Sequence, residues 1–139
     1  MTKEIVKGIG SALLQEFGYE SHTEPVGQEK PTPCFVISCV ESSDQKYPGN
    51  RYLLKNAFKI RYFPKLEDNA EAEYYETAER MKNCLEFLQI EGHRIPAGEK
   101  KYEITDQGLS FFVNYNCFIY QAEEQNAMEN MDSRTNVKG

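Results

Sequence analysis

The stretch Leu109–Tyr120, LSFFVNYNCFIY, decides how this chain is read. It contains no Asp, Glu, Lys, Arg or His, and it reads as one long strand. Side chains alternate across a strand, so Leu109, Phe111, Val113, Tyr115, Cys117 and Ile119 share one face. Ser110, Phe112, Asn114, Asn116, Phe118 and Tyr120 share the other. The first set is a core face. The second mixes aromatics with amides, a composition suited to protein contacts rather than to water alone. The strongest signal in the chain therefore points to assembly, not to chemistry.

Working back from this strand, Lys101–Thr105 reads as its hairpin partner across Asp106-Gln107-Gly108. Glu91–Ile95 is a weaker strand, closed by Pro96-Ala97-Gly98. Tyr74, Ala78, Met81, Leu85 and Leu88 recur at helical spacing and form a stripe that must lie on a sheet. Asp68 caps that helix, with Glu71 completing a box-like start. Tyr52–Phe63 alternates cleanly: Tyr52, Leu54, Phe58, Ile60 and Tyr62 are apolar, while Lys55, Lys59 and Arg61 lie between them. Glu41–Arg51 reads as a long polar loop with a turn at Pro48-Gly49-Asn50. Cys34–Val40 is apolar on both faces and reads as a central strand.

Gly27–Pro33 is a loop by its proline and glycine content. Tyr19–Val26 is a short strand or extended edge. A first helix, capped by Thr2, runs to Phe17 on the spacing of Ile5, Ile9, Ala12, Leu13 and Phe17, and Gly18 stops it. After Gln121 bulky apolar residues all but vanish. The expected organisation is one α+β domain over residues 1–121 and a polar C-terminal tail over 122–139. Its sheet is mostly antiparallel, with two helices on one face and a C-terminal hairpin. The opposite face carries Lys55, Lys59, Arg61, Phe112, Asn114, Asn116 and Phe118.

The chain has 139 residues and a net charge of −6. That acidity argues against nonspecific nucleic-acid binding by the whole surface, which needs clustered cations, and no sequence-specific nucleic-acid partner is expected. No apolar run approaches the ~20 residues that span a bilayer. The N-terminal residues, with Glu4 and Glu16 and no continuous apolar core, do not read as a signal peptide.

The four cysteines form no CxxC pair, so they read as reduced, mostly buried thiols rather than a zinc site or disulfide framework. His22 and His93 lack the spacing of a metal or acid–base pair. Gly8 and Gly10 lack the preceding strand and following lysine of a phosphate loop. The acids between Asp68 and Glu79 match the start and solvated face of a helix better than a metal site. No catalytic residue, cofactor or metal ligand is expected. The loop bearing Lys46, Tyr47 and Arg51 and the tail from Ala122 are expected to make intersubunit contacts. So is the basic strand face, against acids at Glu73, Glu76 and Glu86 on the second helix.

Five segments carry a family resemblance: EFGYESHTEP (16–25), PCFVIS (33–38), PGNRYLLKNAFKIRYFP (48–64), AERMKNCLEFL (78–88) and KYEITDQGLSFFVNYNCFIY (101–120). Together they resemble the tail terminators of long-tailed phages and of phage-derived particles such as contractile bacteriocins. The resemblance runs in order from Leu13 to Tyr120; its most specific part is Gly49–Tyr52 with the two strands FKIRYFP and FFVNYN. It implies a structural virion component, assembled in the bacterial cytoplasm, that forms a ring, usually a hexamer, on the head-proximal end of the tail tube. Such a ring stops tube polymerisation and offers a docking place to a head connector or sheath. It implies the tube protein as partner and no catalysis, cofactor or membrane. The alternatives are another connector component, such as a stopper or head-completion protein, or a small-ligand domain or enzyme using the sheet as a pocket floor.

Overall fold

A computed structural model describes residues 2–23, 32–65, 70–106 and 108–120. Their order is α1 (Thr2–Phe17), β1 (Ser21–Thr23), β2 (Cys34–Tyr47), β3 (Arg51–Phe63), α2 (Ala70–Cys84), β4 (Phe87–Ile90), β5 (His93–Thr105) and β6 (Gly108–Tyr120). The strands form one six-stranded sheet in the order β1-β2-β3-β6-β5-β4. β1 runs parallel to β2, whereas β4–β5 and β5–β6 are antiparallel. The architecture is the expected α+β, with both helices on one sheet face. The chain divides into two compact units: residues up to Ser43 with Lys55–Cys117, and Asp44–Leu54 with the residues from Phe118.

The core belongs to the first unit. Ile5, Ile9 and Leu13 of α1, spaced by four, are fully buried against Phe35 and Ile37 of β2, Phe58, Ile60 and Tyr62 of β3, and Leu109, Phe111, Val113 and Tyr115 of β6. α1 ends where Gly18 donates its N–H to the Leu14 carbonyl. α1 lies close on β4, because a Cβ at Gly8 would sit 3.4 Å from both Leu88 and Ile90. α2 is clamped to the end of α1 by Arg80, which donates to the Glu16 carboxylate and the Glu16 carbonyl, both at 2.9 Å, and stacks 4.2 Å from the Phe17 ring centre.

Four expectations are corrected. Thr2 does not serve as a cap: it lies inside α1 and donates to Asn56 Oδ1 at 2.9 Å, as Ser42 does at 2.8 Å. These two bonds permit Asn56, only 2% exposed, to occupy an inward position of β3.

Glu41–Arg51 is not a loop. β2 continues to Tyr47, and the turn is confined to Pro48-Gly49-Asn50, where Gly49 and Asn50 adopt φ of 83° and 60°. The strand was hidden because Cys39–Lys46 is exposed on both faces, so no alternation marks it. Backbone pairing needs no buried face.

The stripe assigned to the second helix crosses its end. Leu85 follows the last helical residue and Leu88 lies on β4, yet both enter the same core. Spacing alone cannot separate such an exit from a further helical turn.

Finally, Glu91-Gly92 is a turn, with φ of 51° and 81°, and β5 starts at His93 and passes through Pro96-Ala97-Gly98. Those residues mark a bulge between Ala97 and Lys100 instead of a strand end. The expected cap at Asp68, most of the loop 27–33 and the tail 122–139 lie outside the described residues.

Candidate assembly surface

The sheet face turned away from the helices is set by alternation. Phe58 and Ile60 point inward from β3, so Lys55, Ala57, Lys59 and Arg61 point outward. Phe111 and Val113 point inward from β6, so Phe112, Asn114 and Asn116 point outward. β5 adds Lys101, paired directly with Phe112, its ammonium 5.7 Å from the ring centre. Arg61 lies 4.9 Å from the ring centre of Phe63 on the same face. Between β2, β3, β6 and β5 this face has a shallow hollow of about 240 Å³, lined in part by Val40, Phe112 and Asn114 and by two acids, Glu41 and Glu99, beside Lys101. Val40 is 56% exposed there.

The face is not bare along β2: Cys34 and Val36, which alternate with Phe35 and Ile37, are buried as well. Asn114 also has an internal task. Its Oδ1 accepts the Glu99 N–H at 2.8 Å and so satisfies the bulge of β5.

The second unit brings Tyr47, Arg51 and Phe118 together. The Arg51 guanidinium carbon lies 5.3 Å from the Phe118 ring centre and 5.9 Å from that of Tyr47, and the two rings meet edge-on at 5.4 Å. Arg51 Nε donates to the Pro48 carbonyl at 3.2 Å, which holds the guanidinium over the turn. Lys46 beside Tyr47 is exposed, Phe118 is 49% exposed and Tyr120 74%. An exposed cluster of tyrosine, phenylalanine and arginine has the chemistry of interface hot spots.

The acids assigned to the outer face of α2 do not form one outward patch. Glu73 is half-buried and accepts a hydrogen bond from the Tyr62 hydroxyl. Burial first, and then Glu73, push the Tyr62 hydroxyl far above its ordinary range. Glu86 lies beyond the helix, pairs with Lys100, and gives its carbonyl to the Ala97 N–H. Glu76 is exposed on α2.

Sequence reasoning passed over two internal constellations, Thr2–Ser42–Asn56 and Arg80–Glu16. Only Asn56 left a trace, as a polar residue in the inward row of Leu54, Phe58 and Ile60.

None of the four cysteines, all among the described residues, is in a disulfide. Cys39 is exposed, against the expectation of mostly buried thiols. Cys84 lies in a groove of about 430 Å³ lined by Gly8, Ala12, Glu16 and Phe87, among others. Burial, and next the Glu16 charge, push its thiol up to about 12, so it stays protonated and weakly nucleophilic at neutral pH. Burial likewise raises Cys117. Among the described residues no three His, Cys, Asp or Glu side chains are grouped to hold a metal. No described helix is long and apolar enough to cross a membrane.

No curated protein matches the chain. A family model described as phage tail terminator protein matches residues 4–127. The match takes in α1 and every strand of the sheet, and it runs past Tyr120, where the resemblance read from the sequence stops. The chain therefore belongs to the phage tail terminator protein family.

Proposed function

We propose that this protein forms a homohexameric ring on the head-proximal end of a tail tube. The ring occupies the surface that the next tube ring would use, ends polymerisation, and presents a docking surface to a head connector or a sheath. The observation that carries this reading is the outward face of β3, β6 and β5. Both helices lie on the other side, and this side combines exposed or half-exposed cations with the acids Glu99 and Glu103 of β5, an aromatic and amides.

A cyclic ring needs two different patches per subunit because its contacts run head to tail. The mixed-charge face bearing Lys55, Lys59 and Arg61 supplies one. The Tyr47–Arg51–Phe118 cluster supplies a separate contact of hot-spot type. The net charge of −6 per chain suits a lumen through which DNA passes without sticking. No step of this role requires a catalytic group.

The test is to delete the gene and image the tails. Tubes of runaway or irregular length are expected. Tails of normal length that fail to join heads would assign the protein to the connector instead, and normal particles would overturn both roles.

A further inference from the structure

We propose that the open edge of β4 accepts the edge of β2, residues 38–43, from a neighbouring copy, so that the sheet of one subunit runs into the sheet of the next. This inference rests on the ring reading and names a backbone contact that closes the ring.

β4 ends the sheet and pairs with β5 alone. The Glu86 carbonyl accepts the Ala97 N–H at 2.8 Å, and bonded and unbonded pairs alternate along an antiparallel ladder. Leu88 and Ile90 therefore bond to β5, while the N–H and C=O of Phe87 and Gln89 point away from it. Pro96, opposite Phe87, has no N–H to give, in keeping with this phase. The strand FLQI carries no Lys or Pro, which commonly guard an edge. Beside it lies the groove of about 430 Å³ lined by β4, α1 and the end of α2. A free edge next to a groove is the arrangement that takes an added strand. Backbone bonds give affinity, and the groove receives alternate side chains.

The groove suits an uncharged strand. Glu16 in its lining is already paired with Arg80, and Gln15, Asn83 and Gln89 are neutral. β2 offers such a strand. β1 covers its outer edge at Phe35, Val36 and Ile37, and among the described residues no strand lies on that side of 38–43. This stretch, SCVESS, has small side chains, one charge, and no Lys or Pro. Val40 is 56% exposed and Phe87 39%, so each edge carries an apolar side chain that pairing would cover. β4 against β4 would be an isologous contact and would stop at a dimer. Two different edges, β4 and β2, make the head-to-tail contact that a ring needs.

The experiment uses the full chain and the natural thiol of Cys39, which is exposed on the β2 edge. Gln89→Cys protein is assembled on tubes and treated with a bis-maleimide of about 10 Å reach. Neighbouring strands lie ~5 Å apart and each residue of slip adds ~3.3 Å, so two residues of register either way are covered. The natural chain and Gln89→Cys/Cys39→Ser are the controls. A ladder of products up to the hexamer is expected, present only when both thiols are. Dimers that survive Cys39→Ser would overturn the proposal in favour of β4 meeting β4, and a product with the tube protein would overturn it in favour of the tube. No ladder would also overturn it, and rings seen in the same sample would leave the ring reading standing. A ladder without closed rings would uphold the pairing and count against the ring.

A second arm removes the backbone donor. The N–H of Gln89 looks away from β5, a place where an edge strand tolerates proline. Gln89→Pro is therefore expected to keep its urea midpoint and to lose rings. Folded Gln89→Pro protein that still forms rings would overturn the pairing.

Discussion

The Tyr115 hydroxyl shows how much one buried polar atom controls here. It donates to the Leu85 carbonyl at 2.7 Å, just past the end of α2, and its ring is fully buried. Tyr115→Phe leaves that carbonyl without its partner and is expected to cost about 1–3 kcal/mol, read from urea unfolding. The same hydroxyl sets a pH dependence. Burial raises Tyr115 and Tyr62 above their ordinary value of 10.0, and Cys84 from 9.0 to about 12. Above those ordinary values the unfolded chain gives up protons that the folded chain retains. Stability is therefore fully present below about pH 9 and falls as pH rises through the alkaline range. Unfolding curves at pH 8 and pH 11 check the sign, and Tyr115→Phe should flatten the decline. None of this was legible in the sequence beyond the inward placement of Tyr115. Alternation says which way a side chain points, not which carbonyl it meets.

At the scale of elements, legibility followed burial. β3 and β6 were read nearly to their ends because each has one wet and one dry row. The outer half of β2 was lost because both of its rows are wet. Pro96-Ala97-Gly98 was read as a stop because a bulge and a strand end share the same residues. Gly98 is there for space: a Cβ would run into Asn114 Oδ1, the acceptor of the Glu99 N–H. Gly98→Ala is thus expected to cost about 1–2 kcal/mol through the lost bond, with faster hydrogen exchange at Glu99. The Tyr47–Arg51–Phe118 cluster was legible as residues but not as a cluster, since residues 47 and 118 meet only through the sheet. Arg51→Ala should weaken assembly while shifting the unfolding free energy by less than about 1 kcal/mol, because its cation–π contacts are exposed. Sedimentation and urea unfolding on the same sample separate the two effects. Loss of folding stability without loss of assembly would assign Arg51 to the turn alone.

For the whole molecule, the family was legible from pattern, and so was the α+β class with both helices on one sheet face. How the charges pair was not, because Glu73 and Glu86 serve bonds inside the subunit and only Glu76 of the three stays exposed. One feature of the sheet order bears on timing. β3 lies between β2 and β6, and β6 is the last described strand to be synthesised. Until it leaves the ribosome, Phe58 and Ile60 lack the strand beside them, and the outward row of Phe112, Asn114 and Asn116 is missing from the sheet. Pairing across so long a stretch of chain is slow compared with local structure. On the proposed role, a nascent subunit would become competent to dock only after β6 has been made. Ribosome-bound chains stopped before Leu109 should remain protease-sensitive, and chains released whole should become resistant in one step.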